Sequence, residues 1–282
     1  MAYKNIDVKP VAGALGAEIE GVALNDNLDN ETFDDIHQAF LDHQVIFFRN
    51  QDLSPEAHIR FGRRFGSLNI HPYVKGMAGH EEIMEIIKEP DERENFGGGW
   101  HSDMSFQEEP ALGSILYSIE VPPYGGDTLF ASQSAAYDAL SEGMKDMLDG
   151  MIAIHTAEKE YGRKGHSAMQ RAGMQVEQQE EGTVPKFEHP VVRTHPQTGR
   201  KALYVNSAFT MHFKNMTRRE SRPLLQFLFE HATQEQFTCR FRWTPGAVAF
   251  WDNRAVQHYA LNDYHGHRRH MRRVTINGDR PR

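Results

Sequence analysis

The sequence predicts a mainly β protein with flanking helices, an α+β chain folded as one antiparallel sandwich or barrel. Short apolar runs bounded by Gly, Pro and Asn recur along the chain and are typical of strands, while helical spacing of apolar residues is confined to a few segments. No internal repeat or interdomain linker is visible in the 282 residues, a length that can bury one large core. We therefore predict a single domain over residues 1–282.

The first part of the chain predicts strands and helices in alternation. Asp29 precedes a helix in which Ile36 and Phe40 recur at helical spacing, and Ser54 followed by Pro55 is typical of a second helix start. The predicted elements here are strand and turn over 1–25, helices from about 29 and over 54–64, and strands over 45–48 and 83–87.

The remaining elements are predicted from the same signals. The segment 157–187 is polar and rich in Gln and Glu, so we predict a lid loop there. The other predicted elements are strands within 97–130 and over 202–206, 237–243, 247–252 and 269–276, and helices from about 132 and over 141–148 and 220–232.

Composition and charge exclude several classes of protein. The longest strictly apolar run, 247–251, is far shorter than the roughly 20 residues that cross a bilayer, and the first residues lack an export signal. Cys239 is the single cysteine, which excludes an internal disulfide and a cysteine metal cluster. A net charge of −8 disfavours nucleic acid and anionic membranes as partners. We therefore expect a cytoplasmic protein that binds neither nucleic acid nor a membrane.

Two His-x-acid pairs are candidates for half of a metal site, because side chains two residues apart on a strand share a face. His80 and Glu82 stand in an acidic polar turn, which predicts a solvated loop. His101 and Asp103 stand between three glycines and apolar residues such as Met104, which predicts a dry, closely approached site. By itself this second pair is either a pair of metal ligands or a hydrogen-bonded His–Asp couple.

His258 is the predicted third ligand, because it follows the buried strand 247–252. His265, His267 and His270 crowd a glycine-containing turn, where we expect solvated side chains. Two histidines and one aspartate with open positions suit non-haem Fe(II) oxygen chemistry, but zinc hydrolases use the same ligand types. The ligand set alone therefore leaves both metals open.

The strand over 269–276 carries a double row of arginines. Arg269 and Arg273 share one face and Arg268 and Arg272 the other, and the strand alone leaves open which face is buried. Two buried guanidinium groups require anionic partners, which carboxylate or sulfonate ligands would supply. An oxygenase that consumes a 2-oxo acid needs such a cation and a hydrolase does not, so the arginines favour an oxygenase.

Four motifs in this order resemble the TauD/TfdA family of Fe(II)- and 2-oxoglutarate-dependent dioxygenases. They are WHSD at 100–103, GGDTLF at 125–130, WDNR at 251–254 with QHYA at 257–260, and the arginines Arg269 and Arg273. The resemblance runs from about residue 6 to residue 280. It implies a double-stranded β-helix, or jelly roll, with the 157–187 loop as its lid.

The resemblance also implies roles for individual residues. The implied Fe(II) ligands and catalytic residues are His101, Asp103 and His258. The implied cosubstrate-binding residues are Thr128 and Arg269 for the distal carboxylate of 2-oxoglutarate, and Arg273 beside them. The substrate-binding candidates are His71, Tyr73, Met104 and Arg273. Together these roles imply that O2 and 2-oxoglutarate are consumed and that succinate and CO2 are formed.

The sequence departs from the taurine-specific members of the family. Three glycines at 97–99 stand where those members have an Asn-containing sequence, and Tyr73 falls one position early. The segments 195–201 and 223–243 instead resemble aryloxyalkanoate-cleaving members. We therefore expect a small organic anion, alkylsulfonate-like or aryloxyalkanoate-like, in a roomy apolar pocket, with C–S or C–O cleavage of the product. By family analogy we expect a homodimer or homotetramer, and a zinc hydrolase using the same site is the alternative function.

Overall fold

The computed structural model describes residues 3–25, 27–162, 174–177, 179–180 and 182–282. The strands are β1 (Asp7–Pro10), β2 (Ala17–Glu20), β3 (Val45–Phe48), β4 (Ile83–Lys88), β5 (Ala111–Glu120), β6 (Thr128–Ser132), β7 (Ile152–Thr156), β8 (Lys186–Pro190), β9 (Val192–Thr194), β10 (Lys201–Leu203), β11 (Thr210–Phe213), β12 (Thr238–Phe241), β13 (Val248–Asp252), β14 (Val256–Ala260) and β15 (Arg269–Asn277). The helices are α1 (Asn30–His43), α2 (Pro55–Arg63), α3 (Gln133–Asp138), α4 (Glu142–Leu148), α5 (Glu158–Tyr161) and α6 (Arg218–Ala232).

The largest sheet contains seven strands in the order β1-β2-β3-β13-β5-β15-β4. Side chains alternate between its two faces, so Phe47 of β3 points to one side and Ile46 and Phe48 to the other. Ile46 and Phe48 pack with Phe40 of α1, whereas Phe47 packs with Phe130 of β6. Because both faces are covered, β3 has the continuous apolar sequence typical of a fully buried strand.

A smaller sheet with the order β12-β6-β14 faces the large one. The core between these two sheets includes Phe47, Leu116, Phe130, Phe241, Trp251 and Met271. Two further sheets, β11-β7-β8 and β10-β9, pack with α3, α4 and α6 around a separate core. Over the described residues all of these sheets are open, so the fold is a layered β structure and not a closed barrel.

The helix starts follow local capping rules. The side chains of Asp29 and Ser54 accept hydrogen bonds from the third residue beyond each, and Pro55 stands at the first position of α2, as predicted. The helix α6 begins at residue 218 and not at the predicted 220, because Thr217 and Glu220 form a reciprocal capping box. Within the described part of the chain, no helix combines the length and the apolar character that a membrane span requires.

Some strands lacked a sequence prediction, and β14 is the one that matters for the site. Gln257 is buried in this strand and donates to Oε1 of Gln133 and to the carbonyl of Val205, at 2.9 Å each. A polar side chain buried in this way breaks the apolar alternation that predicts a strand. The short strands β7, β8, β9 and β11 also had no prediction, and the strands predicted within 97–130 begin only at residue 111.

The predicted lid loop over 157–187 lies partly outside the described residues, at 163–173, 178 and 181. Its described part contains α5 and the first residues of β8. It also pairs Val176 with Val74 and Gly162 with Gln179 through isolated β-bridges. The described part of this segment therefore carries more regular structure than the sequence predicts.

Candidate active site

The structure brings His101, Asp103 and His258 together. Nε2 of His101 lies 3.7 Å from Oδ1 of Asp103, and Nε2 of His258 lies 4.0 Å from the same oxygen. One ligand atom from each of the three lies within 4.8 Å of the others. Metal–ligand bonds of roughly 2.1 Å allow ligand atoms at such distances to share one ion. All three residues are buried, so the site is shielded from bulk water.

Backbone pairing sets the positions of the two histidines. His258 lies on β14, and a β-bridge joins it to His101, with the backbone N–H of each donating to the carbonyl of the other at 3.1 and 2.8 Å. The 97–110 segment therefore pairs with a strand more than 150 positions later in the chain. The sequence did not predict this pairing. This pairing is what turns the predicted His-x-Asp pair into a three-ligand cluster.

Local contacts set the orientation of the imidazole rings. Nδ1 of His101 lies 2.7 Å from the carbonyl of Gly99, so Nδ1 carries the proton and the Nε2 lone pair faces the cluster. Gly97 adopts a φ of 78°, and a Cβ there would approach the His101 ring to 3.4 Å. The His258 ring packs on Trp251, with ring centroids 4.5 Å apart. Burial and the neighbouring His101 hold the pKa of His258 well below its usual range, which keeps this imidazole neutral.

Asp103 is held by groups on both carboxylate oxygens. Nη1 of Arg273 donates to Oδ1 and Oγ of Ser114 donates to Oδ2, at 2.7 Å each. Burial alone would raise the pKa of Asp103, but the Arg273 guanidinium and the Ser114 hydrogen bond outweigh it and hold the pKa below its usual range. Asp103 is therefore ionised at neutral pH, which is the form that binds a metal.

A cavity of about 640 Å³ opens beside this cluster. Its walls include the three glycines at 97–99 and several aromatic side chains, among them Phe106, Tyr161 and Phe209. His71 also lines it. Nδ1 of His71 accepts the backbone N–H groups of residues 73 and 74 at 3.1 Å each, so its proton lies on Nε2. That nitrogen is 3.4 Å from the hydroxyl of Tyr161. His71 therefore donates to the Tyr161 oxygen, and the cavity presents the Tyr161 hydroxyl as a neutral donor beside the cation of Arg273.

The other two substrate-binding candidates differ in their placement. Met104 lines the cavity directly and has a φ of 58°, an unusual backbone conformation immediately after Asp103. Tyr73 packs on Phe106 and Tyr161, with ring centroids 5.8 and 4.9 Å apart. Tyr73 therefore supports two of the cavity walls.

Thr128 and Arg269 both contact Trp243. Nε1 of Trp243 donates to Oγ1 of Thr128 at 3.0 Å, and Cζ of Arg269 lies 5.8 Å from the centroid of the same indole. Arg269 is 6% exposed, and its Nε and Nη2 atoms have no hydrogen-bond partner in the described structure. These two nitrogens form one edge of the guanidinium, which matches a carboxylate. A buried guanidinium edge of this kind requires an anionic partner.

The structure decides which arginine face is buried. Arg269 and Arg273 point into the protein, whereas Arg268 pairs with Glu89 and Glu120 near the surface. Glu85 lies 3.6 Å from Arg272 and occupies the same outer face. Acidic residues of β4, β5 and the turn after β4 thus lie beside the outer row. In the inner row Arg273 pairs with Asp103, and Arg269 has no ion-pair partner among the described residues.

The histidines that were predicted to be solvated lie away from the cluster. Nε2 of His80 is 3.2 Å from Oε1 of Glu56, and His265 is exposed. His270 pairs with Glu85 at 3.0 Å. Four residues of the site had no predicted role, and they are Ser114, Tyr161, Trp243 and Asn253. Tyr161 has no local signal, because it falls in a polar segment, while Asn253 stands inside the WDNR motif.

Comparison with known proteins identifies the family. The profile described as "Taurine catabolism dioxygenase TauD, TfdA family" matches residues 7–275. The chain belongs to the TauD/TfdA family. An "Alpha-ketoglutarate-dependent sulfate ester dioxygenase" of Pseudomonas putida is 38% identical over 277 residues, covering 98% of this chain and 91% of that protein. An "Alpha-ketoglutarate-dependent 2,4-dichlorophenoxyacetate dioxygenase" of Cupriavidus pinatubonensis is 34% identical over 294 residues, covering 98% and 99%.

Solved structures agree with this TauD/TfdA assignment. A taurine dioxygenase from Burkholderia xenovorans matches with a TM-score of 0.82 and 36% identity, over 99% of this chain and 91% of that one. The predicted β-rich fold with a jelly-roll core is confirmed by this likeness. The family also confirms the dioxygenase prediction, and the zinc hydrolase alternative receives no support.

Proposed function

We propose that this protein is an Fe(II)- and 2-oxoglutarate-dependent dioxygenase that hydroxylates a small organic anion, with O2 as the other cosubstrate. The observation that carries the proposal is the convergence of His101, Asp103 and His258 beside β15. On this strand some nitrogens of the two inward arginines have no hydrogen-bond partner among the described residues. Family membership supports it, as do relatives whose names specify dependence on α-ketoglutarate, which is 2-oxoglutarate.

The residues present fit both the metal and the cosubstrate. His101 and His258 would bind Fe(II) through Nε2 and Asp103 through Oδ1, which leaves open coordination positions. Bound iron, with 2-oxoglutarate and O2, supplies the oxidation that converts a substrate C–H bond into C–OH and releases succinate and CO2. Arg269 and Thr128 would hold the distal carboxylate of 2-oxoglutarate, because the unpaired guanidinium edge is buried and needs an anion.

The protein's own contribution to the reaction is positioning and exclusion of water. Arg273 lies between the metal carboxylate and the cavity, so it can meet the anionic group of the substrate. The hydroxyl of Tyr161, whose oxygen accepts from Nε2–H of His71, can donate to the same anion. Phe106 and Phe209 line the cavity with apolar surface, which keeps water from the reacting carbon. Met104 and Tyr73 complete and support this wall.

The substrate class that we propose comprises sulfate esters, alkylsulfonates and aryloxyalkanoates. Relatives are named for a sulfate ester and for 2,4-dichlorophenoxyacetate, and both compounds join an anion to an apolar group. A cavity of about 640 Å³ with aromatic walls accommodates such groups. Hydroxylation of a carbon that bears an ester oxygen, an ether oxygen or sulfur gives a product that breaks its C–O or C–S bond and leaves a carbonyl compound.

A substrate panel tests this function. Purified protein with Fe(II) and 2-oxoglutarate is assayed for succinate release with alkyl sulfates, alkylsulfonates, aryloxyalkanoates and phosphonates, in air and without O2. We expect succinate release that requires iron and O2 and that is coupled to one substrate class. Turnover with Zn(II) in the absence of O2 and 2-oxoglutarate would refute the proposal.

We also propose a cytoplasmic, homo-oligomeric protein of one domain, a dimer or tetramer that binds neither nucleic acid nor membranes. The single cysteine and the net charge of −8 support this setting, and the family match over residues 7–275 supports one domain. We further propose that the 157–187 segment acts as a lid. Its described helix α5 supports this role, because Lys159, Glu160 and Tyr161 line the cavity.

A further inference from the structure

Asp103 is tied to a buried polar network formed by Asn253 and Ser114. Oδ1 of Asn253 accepts the backbone N–H of Asp103 at 3.0 Å and the indole N–H of Trp251 at 2.9 Å. Nδ2 of Asn253 donates to Oγ of Ser114 at 3.0 Å, and this hydroxyl donates to Oδ2 of Asp103 at 2.7 Å. Ser114 and Asn253 are 0% and 1% exposed. Ser114 of β5 and Asn253 of the turn after β13 thus hold both the side chain and the backbone of the aspartate.

The direction of every hydrogen bond in this network is determined. A backbone N–H and an indole N–H can only donate, so the side of the Asn253 amide that faces them must be its oxygen. Its nitrogen therefore faces Ser114 and donates to it. Since the Ser114 hydroxyl accepts that bond, its single proton is directed to Oδ2 of Asp103. Oδ2 therefore accepts from Ser114, whereas Oδ1 accepts from Nη1 of Arg273 and is the oxygen that lies nearest to Nε2 of both histidines.

We propose that Asn253 and Ser114 are positioning residues that make Asp103 a one-oxygen metal ligand. The inference rests on the proposed function, because it concerns the ligand of the proposed metal site. Asn253 anchors the network from the turn after β13, where its own N–H donates to the carbonyl of Leu112 at 2.9 Å. Ser114 lies two residues further along the same strand as Leu112, so β5 carries both ends of the network. Removing a group that orients a metal ligand in this way typically weakens metal binding by roughly 10- to 100-fold.

The substitution Ser114→Ala tests the proposal, with Ser118→Ala as the matched control. Ser118 lies on the same strand and is also 0% exposed, but its hydroxyl donates to the carbonyls of Thr244 and Ala247 and not to Asp103. The measurement is the Kd for Co(II), a visible-absorbing substitute for Fe(II), together with the Co(II) absorption spectrum. Fe(II) affinity under anaerobic conditions and thermal unfolding are measured on the same samples. We expect Ser114→Ala to weaken Co(II) and Fe(II) binding by about 10-fold or more and to alter the Co(II) spectrum. Ser118→Ala should stay within about twofold of the wild type.

Asn253→Asp provides an independent variant of the same size. It places an acceptor where the amide nitrogen donated, so the Ser114 proton turns away from Asp103, and we expect metal binding to weaken as it does in Ser114→Ala. If Ser114→Ala fails to fold, Asn253→Asp tests the positioning role by itself. Folded Ser114→Ala or Asn253→Asp protein with wild-type metal affinity and spectrum would overturn the inference, as would an equal loss in Ser118→Ala. Wild-type protein that binds neither metal would overturn the proposed function itself, and the inference with it.

Discussion

Replacing Arg269 with methionine should separate cosubstrate binding from stability. The Arg269 guanidinium is buried, and within the described part of the chain its Nε–Nη2 edge has no acceptor. In Arg269→Met this edge is lost, while an apolar side chain of similar length remains against Trp243. Losing one partner of a buried charge pair costs roughly 2–5 kcal/mol of binding free energy, so the Kd for 2-oxoglutarate should rise by about 30-fold or more.

The same substitution should stabilise the protein when no cosubstrate is bound. A buried cation without an acceptor is costly, and replacing buried charges by apolar groups of similar volume often stabilises a fold by roughly 1–4 kcal/mol. For a chain of this size each kcal/mol corresponds to about 2 °C in Tm, so Arg269→Met should melt several degrees higher than the wild type. Adding 2-oxoglutarate to the metal-loaded protein should raise the Tm of the wild type by more than that of the variant.

The assay combines 2-oxoglutarate titration of the metal-loaded protein with thermal unfolding in its presence and absence. Arg268→Met is the matched control, because Arg268 is the adjacent residue and pairs with Glu89 and Glu120 on the outer face. Its Kd for 2-oxoglutarate should stay within about twofold of the wild type, since the lost contacts are partly exposed ion pairs. A wild-type Kd in Arg269→Met, or a larger defect in Arg268→Met, would refute the assignment of the buried arginine.

Three further predictions follow from the site and the core. Asp103→Asn should weaken Co(II) binding, measured by titration, by more than about 100-fold, because the variant loses the anionic ligand. A wild-type affinity for Co(II) would contradict the assignment of Asp103 as a metal ligand. Tyr161→Phe should raise the KM for the organic anion by about 10-fold or more and leave the Kd for 2-oxoglutarate unchanged, because the hydroxyl beside His71 reaches only the cavity; an unchanged KM would contradict that role. Burial lowers the pKa values of His58 and His189 to about 4, so below pH 6.5 the unfolded chain binds protons that the folded protein does not. Unfolding free energy from urea titrations should therefore fall by about 3 kcal/mol for these two residues between pH 7.5 and 5.5, and a flat profile would contradict their neutral burial.

Much of the fold was predictable because its signals are local. Ser54 followed by Pro55 marks a helix start whatever the rest of the chain does, and the apolar run of β3 marks a strand buried on both faces. The strand β14 was not predictable in this way, because Gln257 is buried by hydrogen bonds to Gln133 and to the carbonyl of Val205, which are remote in sequence. Local pattern fails where a polar residue is satisfied by distant partners.

The site shows the same division. The spacing of two residues predicted that His101 and Asp103 share one face of a strand, but His101 lies in an isolated β-bridge and Asp103 in a turn. His258 was predicted from its position after a buried strand, and the backbone bridge between the two histidines brings the cluster together. Tyr161 was missed because a buried phenol in a polar segment has no signature until the cavity around it exists. Ser114 was missed for the same reason, since a serine in a strand acquires a role only from the carboxylate that it contacts.

The sequence by itself determined which chemical groups are available, namely two imidazoles and one carboxylate. It also determined that the arginines alternate between the two faces of β15. The tertiary structure alone decided which arginine row turns inward. Glu85 from β4 and Glu120 from β5 lie beside the row of Arg268 and Arg272. The physical reason is that a two-residue period fixes relative orientation within a strand, whereas burial depends on the partners that neighbouring strands place on each face.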